Sequence, residues 1–123
     1  MSYVYDIKQR AMIKNDVFDE DLQIMALFAK AISHPARLSI LKFLSEQKSC
    51  ISGDISDYLP LSRTTVSQHL KVLKNLRIIH GEIEGLKINY CLCNEEISRY
   101  TKLFKQFFEN IESVKIDCMC EKS

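Results

Sequence analysis

Between Val66 and Leu92 the apolar residues change their spacing, and few folds accommodate such a change. Val66, Leu70, Leu73 and Leu76 recur at helical intervals on one face. After Arg77 the interval drops to two: Ile79, Gly81 and Ile83, then Glu84-Gly85 as a turn, then Ile88, Tyr90 and Leu92. The pattern predicts a helix followed at once by a two-stranded hairpin with half-buried strands. Elsewhere Gly and Pro are scarce, three and two in 123 residues, so helices should dominate.

The segment before the hairpin is equally specific. Gly53 to Leu59 reads as a short helix, spanning about Ser52–Tyr58, and Pro60 marks a turn. Ser62 is placed to cap the next helix, because its hydroxyl accepts from the free N–H groups of a first turn. The outer face of that helix carries Arg63, Thr64, Thr65, Ser67, Gln68, His69 and Lys71. Their lengths and hydrogen-bonding groups suit phosphates and base edges. Helix, tight turn and a second helix with a polar N-terminal face predict a helix-turn-helix over about 52–76, and the hairpin over about 78–92 makes it winged.

Further helices flank this unit. Residues 3–14 show a weak amphipathic pattern through Val4, Ile7 and Ala11. Asp19, Glu20 and Asp21 suit a helix N-terminus, and Leu22 to Ile32 is apolar on most sides. Ser33-His34-Pro35 breaks the chain, with Pro35 fitting a first helical position before Leu38, Leu41 and Leu44. Asn94 is placed to cap a C-terminal helix whose stripe is Ile97, Tyr100, Phe104, Phe107, Phe108 and Ile111. The expectation is a single domain over 1–123, mainly α with a small β-hairpin. Helices at about 5–32 and 95–113 would join two copies, and 114–123 would be a flexible tail.

Composition sets bounds. No apolar run approaches the roughly 18 residues of a membrane span, and the N-terminus lacks the order of a secretion signal, so a cytoplasmic protein with no membrane partner is expected. The net charge is +1, but from Leu61 to His80 the charged residues are Arg63, Lys71, Lys74 and Arg77, with no acid among them. No Ser/His/Asp set, no glycine-rich phosphate loop and no paired histidines stand in the sequence, so no enzyme is expected. Five cysteines, an odd number without a secretion signal, predict reduced thiols rather than a disulfide framework.

Three blocks resemble the ArsR family of bacterial winged-helix repressors: A-K-A-I-S-H-P-A-R-L-S-I-L at 29–41, L-S-R-T-T-V-S-Q-H-L-K-V-L-K at 61–74 and I-I-H-G-E-I-E-G-L-K-I-N-Y-C-L at 78–92. The match covers about residues 24–112. The resemblance implies a homodimer on a palindromic operator in double-stranded DNA, one recognition helix per copy, with a ligand that lowers DNA affinity. Thr64, Thr65, Gln68 and His69 are the candidates for base edges, and Gln68 is suited to bond an adenine edge twice. Ser62, Arg63, Ser67, Lys71 and Lys87 suit phosphates. His69 has a structural alternative, stacking on the wing. His34 and Arg37 read as structural, Arg37 by pairing with a carboxylate within the fold.

The thiols divide. The arsenic- and cadmium-type sensors of the resembled family place Cys-x-Cys at the start of the first helix of the helix-turn-helix. Here Cys50 matches the first position and Ser52 stands at the second. Cys118 and Cys120 in the tail would complete a three-sulfur site for a soft metal or metalloid ion. A dithiol redox switch among the same cysteines is the alternative. Cys91 and Cys93, two apart on a strand, read as packing residues. Glu109 and Glu112 without a histidine make a poor zinc site. A winged helix used for protein contact, with neither inducer nor DNA, remains open because Glu82 and Glu84 flank Lys87 on the hairpin.

Overall fold

The computed structural model describes residues 17–47, 51–52, 55–84 and 87–115. The pattern over 3–14, Cys50, and residues 116–123 with Cys118 and Cys120 lie outside them. Helix α1 spans Glu20–Ala31, with the Asp19 carboxylate accepting from the Asp21 N–H at 3.4 Å. Acidic Glu20 and Asp21 in its first turn meet the positive end of the helix. Helix α2 spans Pro35–Ser45, with Pro35 where its missing N–H costs nothing. His34 caps it by accepting from the Ala36 N–H through Nδ1 at 3.0 Å.

Strand β1 is Ile51–Ser52, and a 3-10 turn follows at Ile55–Tyr58. Helix α3 spans Arg63–Asn75, strands β2 and β3 span Ile79–Glu84 and Lys87–Leu92, and α4 spans Asn94–Glu112. The sheet is antiparallel in the order β1-β3-β2. Its hairpin register runs from Ile79 opposite Leu92 to Glu84 opposite Lys87. β1 joins the far edge of β3, with Ile51 opposite Tyr90 and Ser52 opposite Asn89.

Two expectations are corrected. The first helix of the helix-turn-helix does not begin at Ser52. Ser52 pairs with β3, and among the described residues the helical part is a 3-10 turn of four residues, Ile55–Tyr58. Asn94 is the first residue of α4 rather than its cap; the chain enters from β3 with the Cys93 carbonyl already accepting from the Ile97 N–H at 3.0 Å. No single helix among the described residues is long and apolar enough to cross a membrane.

The core forms where α3 turns into β2. Leu73, Ile78 and Ile79 are fully buried, with Ile40 of α2 against them. Between Leu76 and Ile78, both buried, Arg77 has φ 54°, a left-handed conformation that costs a non-glycine residue roughly 1–2 kcal/mol. The turn is closed by the Ile78 N–H donating to the Leu73 carbonyl at 3.1 Å and the Arg77 N–H to that of Lys74 at 2.9 Å. Burial of the flanking residues outweighs the local strain.

Aromatic packing ties α4 to this core. Phe28 of α1 stacks on Tyr100 with ring centroids 4.6 Å apart and meets Phe104 at 5.7 Å. The Tyr100 hydroxyl donates to the Leu76 carbonyl at 3.2 Å, at the end of α3. Phe28→Ala should therefore cost about 3–5 kcal/mol of unfolding free energy, read by urea denaturation, because the cavity opens where α1 packs on α4.

Candidate nucleic-acid interface

Helix α3 owes its placement to a narrow apolar face. Val66, Leu70 and Leu73 are buried against the core, with α2, β2 and the 3-10 turn as neighbours. Helical geometry then sends the intervening positions outward. Arg63, Thr64, Ser67, Gln68 and Lys71 are all exposed, and Lys74 extends the basic character along the same helix. Ser62 is exposed at the cap.

The first turn of α3 is fixed by hydroxyls. The Ser62 Oγ accepts from the Thr65 N–H at 3.2 Å and donates to the Thr65 Oγ1 at 2.8 Å. Thr65 is half-buried, so its hydroxyl serves the cap and keeps one hydrogen to donate outward. Backbone N–H groups at this end carry the positive pole of the helix, which favours an anion.

His69 occupies a different place from its neighbours. It is half-buried, its Nδ1 accepts from the Arg37 Nε at 3.2 Å, and its ring lies 4.6 Å from that of His34. The expected structural partner, the wing, is thus corrected to the first turn of α2. Burial first, then the neighbouring His34 and Arg37, hold its pKa below the ordinary 6.5. Arg37 is corrected as well. In place of a carboxylate it uses carbonyls left open at the end of α1, donating through Nη1 to Lys30 at 3.2 Å and to Ala31 at 3.0 Å. The sequence carries no signal for the pairing of Arg37 with His69, which lie 32 positions apart.

Lys87 opens β3 opposite Glu84. Its side chain, with those of Glu82 and Glu84, lies outside the described residues.

The thiols differ from expectation. Cys91 is buried, as its packing reading expects, and it is disulfide-bonded, which corrects the expectation of reduced thiols throughout. Cys93 is free, half-buried at the start of α4. Its pKa is raised by burial and by Glu96, with Arg77 opposing, so it remains a thiol at neutral pH and is a weak nucleophile. Among the described residues no group of three or more His, Cys, Asp or Glu side chains is placed to hold a metal ion.

Residues 34–80 match the family described as bacterial regulatory protein, arsR family. The chain is 30% identical to the HTH-type transcriptional regulator YgaV of Escherichia coli over 83 residues, 68% of this chain and 84% of that one. It is 28% identical over 116 residues to a cadmium resistance transcriptional regulatory protein CadC homolog of Staphylococcus aureus, covering 94% of this chain and 93% of the relative. Among solved structures, an ArsR-like transcriptional regulator from a Rhodococcus species shares the fold at TM-score 0.64 and 20% identity, over 74% of this chain and 85% of that one.

Because two bonds at the α3 cap pass through one hydroxyl, Ser62→Ala should lower stability by about 1 kcal/mol in chemical denaturation. Ser62→Asp, which restores an acceptor, should recover most of that loss.

Proposed function

The chain belongs to the arsR family of bacterial regulatory proteins, and on that premise we propose that it acts as a homodimeric repressor on a palindromic operator, released through its thiols. Members of the family are DNA-binding transcriptional regulators, not enzymes, and this chain has their winged helix-turn-helix. The observation that carries the reading is the outward face of α3: five exposed hydrogen-bonding side chains, Arg63, Thr64, Ser67, Gln68 and Lys71, on a helix whose apolar side faces inward. A helix about 10–12 Å wide fits the major groove, and such side chains reach its floor and rim. Gln68 then reads an adenine edge, with Thr64, Thr65 and His69 beside it. Ser62, Arg63, Ser67, Lys71 and Lys87 hold the phosphates and set the register.

Dimerisation is supported by apolar surface on the helices away from α3. Leu22 on α1, Phe108 and Ile111 on α4, and Phe18 and Val114 beside them are all exposed. Large apolar side chains left in water on the two terminal helices suit a contact surface. Two copies related by a two-fold axis would present their α3 helices to major grooves about 34–36 Å apart.

Release through thiols has support of two kinds. A similar protein is named for cadmium resistance, and Cys91 on the wing strand is disulfide-bonded. Oxidation of two thiols to that disulfide releases two protons and two electrons, taken up by a peroxide or a disulfide oxidant. The same thiolates, when reduced, suit a soft metal or metalloid ion such as cadmium or arsenite.

Fluorescence anisotropy on a duplex that the protein itself selects from a randomised pool tests the DNA contacts. Lys71→Ala should weaken binding on every sequence and lower the salt slope by about one. Gln68→Ala should cost about 1–3 kcal/mol and relax selectivity at one position of each half-site. Unchanged affinity in both variants would remove α3 as the reading surface.

Reduced protein should bind that duplex at least about ten-fold more tightly than peroxide-treated protein. Cys91→Ser should abolish the difference while leaving Cys93 slow to alkylate. A peroxide effect that persists in Cys91→Ser, Cys50→Ser and a chain ending before Cys118 would exclude these thiols as the sensor.

A further inference from the structure

Three helices meet at Arg37. Its Nη1 donates to the Lys30 and Ala31 carbonyls at the end of α1, at 3.2 and 3.0 Å, and its Nε donates to Nδ1 of His69 on α3 at 3.2 Å. His34 packs its ring on His69 at 4.6 Å while its own Nδ1 accepts from the Ala36 N–H. Both His34 and Arg37 come from the start of α2.

A guanidinium only donates, so Nδ1 of His69 is the bare nitrogen of a neutral ring and the ring proton sits on Nε2. The geometry points to Arg37 as a positioning residue for DNA recognition. It holds His69 neutral with its proton on Nε2, and through that ring it fixes how α3 sits against α2. Two consequences follow. His69 offers a base edge or a phosphate a donor and no acceptor. And the Arg37 bond to the recognition helix lasts only while Nδ1 stays unprotonated.

Acid removes the anchor. A proton on Nδ1 ends the Arg37 bond and sets an imidazolium beside a guanidinium and a second imidazole. The charged or titratable groups that act on His69 from the packed elements are His34 and Arg37, both of α2; Lys30 of α1 approaches Arg37 through its carbonyl alone, and β2 and the 3-10 turn add none among the described residues. Because the folded chain resists this proton more than the unfolded chain does, the stabilisation is fully present above the ordinary 6.5 and is lost as pH falls through the lower folded value. DNA affinity follows the same direction and weakens on acidification. A histidine that bound phosphate by its charge would do the opposite, since its protonation adds a cation at the interface.

The inference rests on α3 being the DNA-reading helix, and the test separates the two ideas. Binding to the self-selected duplex is measured at fixed ionic strength from about pH 5.5 to pH 8, beside the histidine nitrogen shifts of the free protein by long-range 1H–15N correlation. Wild type should bind roughly three- to ten-fold more weakly at the acid end, with a midpoint below 6.5. His69→Gln, whose amide oxygen accepts from Arg37 but takes no proton, should flatten the profile to under about two-fold, and His34→Gln should retain a slope. At neutral pH the shifts should report Nε2–H for His69 in wild type and a tautomer mixture in Arg37→Lys. A flat profile, tighter binding in acid, or an unchanged slope in His69→Gln overturns the proposal. Should no duplex be selected at any pH, the DNA reading falls, and the nitrogen shifts still decide the Arg37 contact: Nε2–H upholds it and Nδ1–H overturns it.

Discussion

The burial of one narrow face of α3 governs this molecule. Val66, Leu70 and Leu73 go into the core together with Leu76, Ile78 and Ile79 just beyond the helix. Each contributes on the order of 1.5–3 kcal/mol by leaving water. Among the described residues no element covers the opposite face of this helix, so its polar side chains are presented to solvent as a consequence of the packing. The same burial forces the chain through the left-handed turn at Arg77 and starts β2 at once. The recognition surface and the wing are therefore two results of one hydrophobic contact, which fixes their relative placement.

Polar contacts refine what the apolar contact only seats. A face of Val and Leu tolerates small rotations and slides at little cost, whereas a hydrogen bond is lost over a few tenths of an ångström. The Ser62–Thr65 pair fixes the start of α3, the Tyr100 hydroxyl takes up the Leu76 carbonyl at its end, and Arg37 grips its flank. Arg37 suits its position because a guanidinium has enough donors to bond two helix-terminal carbonyls and an imidazole together, where a lysine would supply a point charge without the planar fork. The Tyr100 bond also links α4 to α3. On the dimer reading, whatever the partner copy does to α4 has a short mechanical route to the recognition helix.

Much of this was legible in the sequence wherever the determinants are local. The Ser62 cap, Pro35 at a helix start, the apolar faces of α1 and α3 and the alternation of the hairpin all depend on residues within a few positions of each other. The misses are long-range. Nothing near Ile51 and Ser52 announces that they will pair with Tyr90 and Asn89, so the segment read as helical from Ser52; among the described residues its helical part is the 3-10 turn at Ile55–Tyr58. Arg37 was expected to seek a carboxylate because a guanidinium usually does, but the carbonyls at the end of α1 are closer along the chain than any acid and already point outward. The disulfide of Cys91 was not legible because strand periodicity gives a residue's face and not what stands across from it.

The placement of Cys91 bears on how a chemical signal would reach DNA. It lies on β3, the strand flanked by β2 on one side and β1 on the other. β2 follows directly from the turn that ends α3, and β1 leads into the 3-10 turn that precedes α3. A covalent change on the central strand therefore acts on both chain connections of the recognition helix, while Cys93, one residue past β3 with its thiol kept protonated, stands outside that circuit. On the proposed reading, a thiol event here would alter DNA affinity without movement of α1 or α4. It would have only to shift the sheet against which α3 rests, since a shift of about 1 Å at a hydrogen-bonding side chain would be enough to lose a proposed base contact.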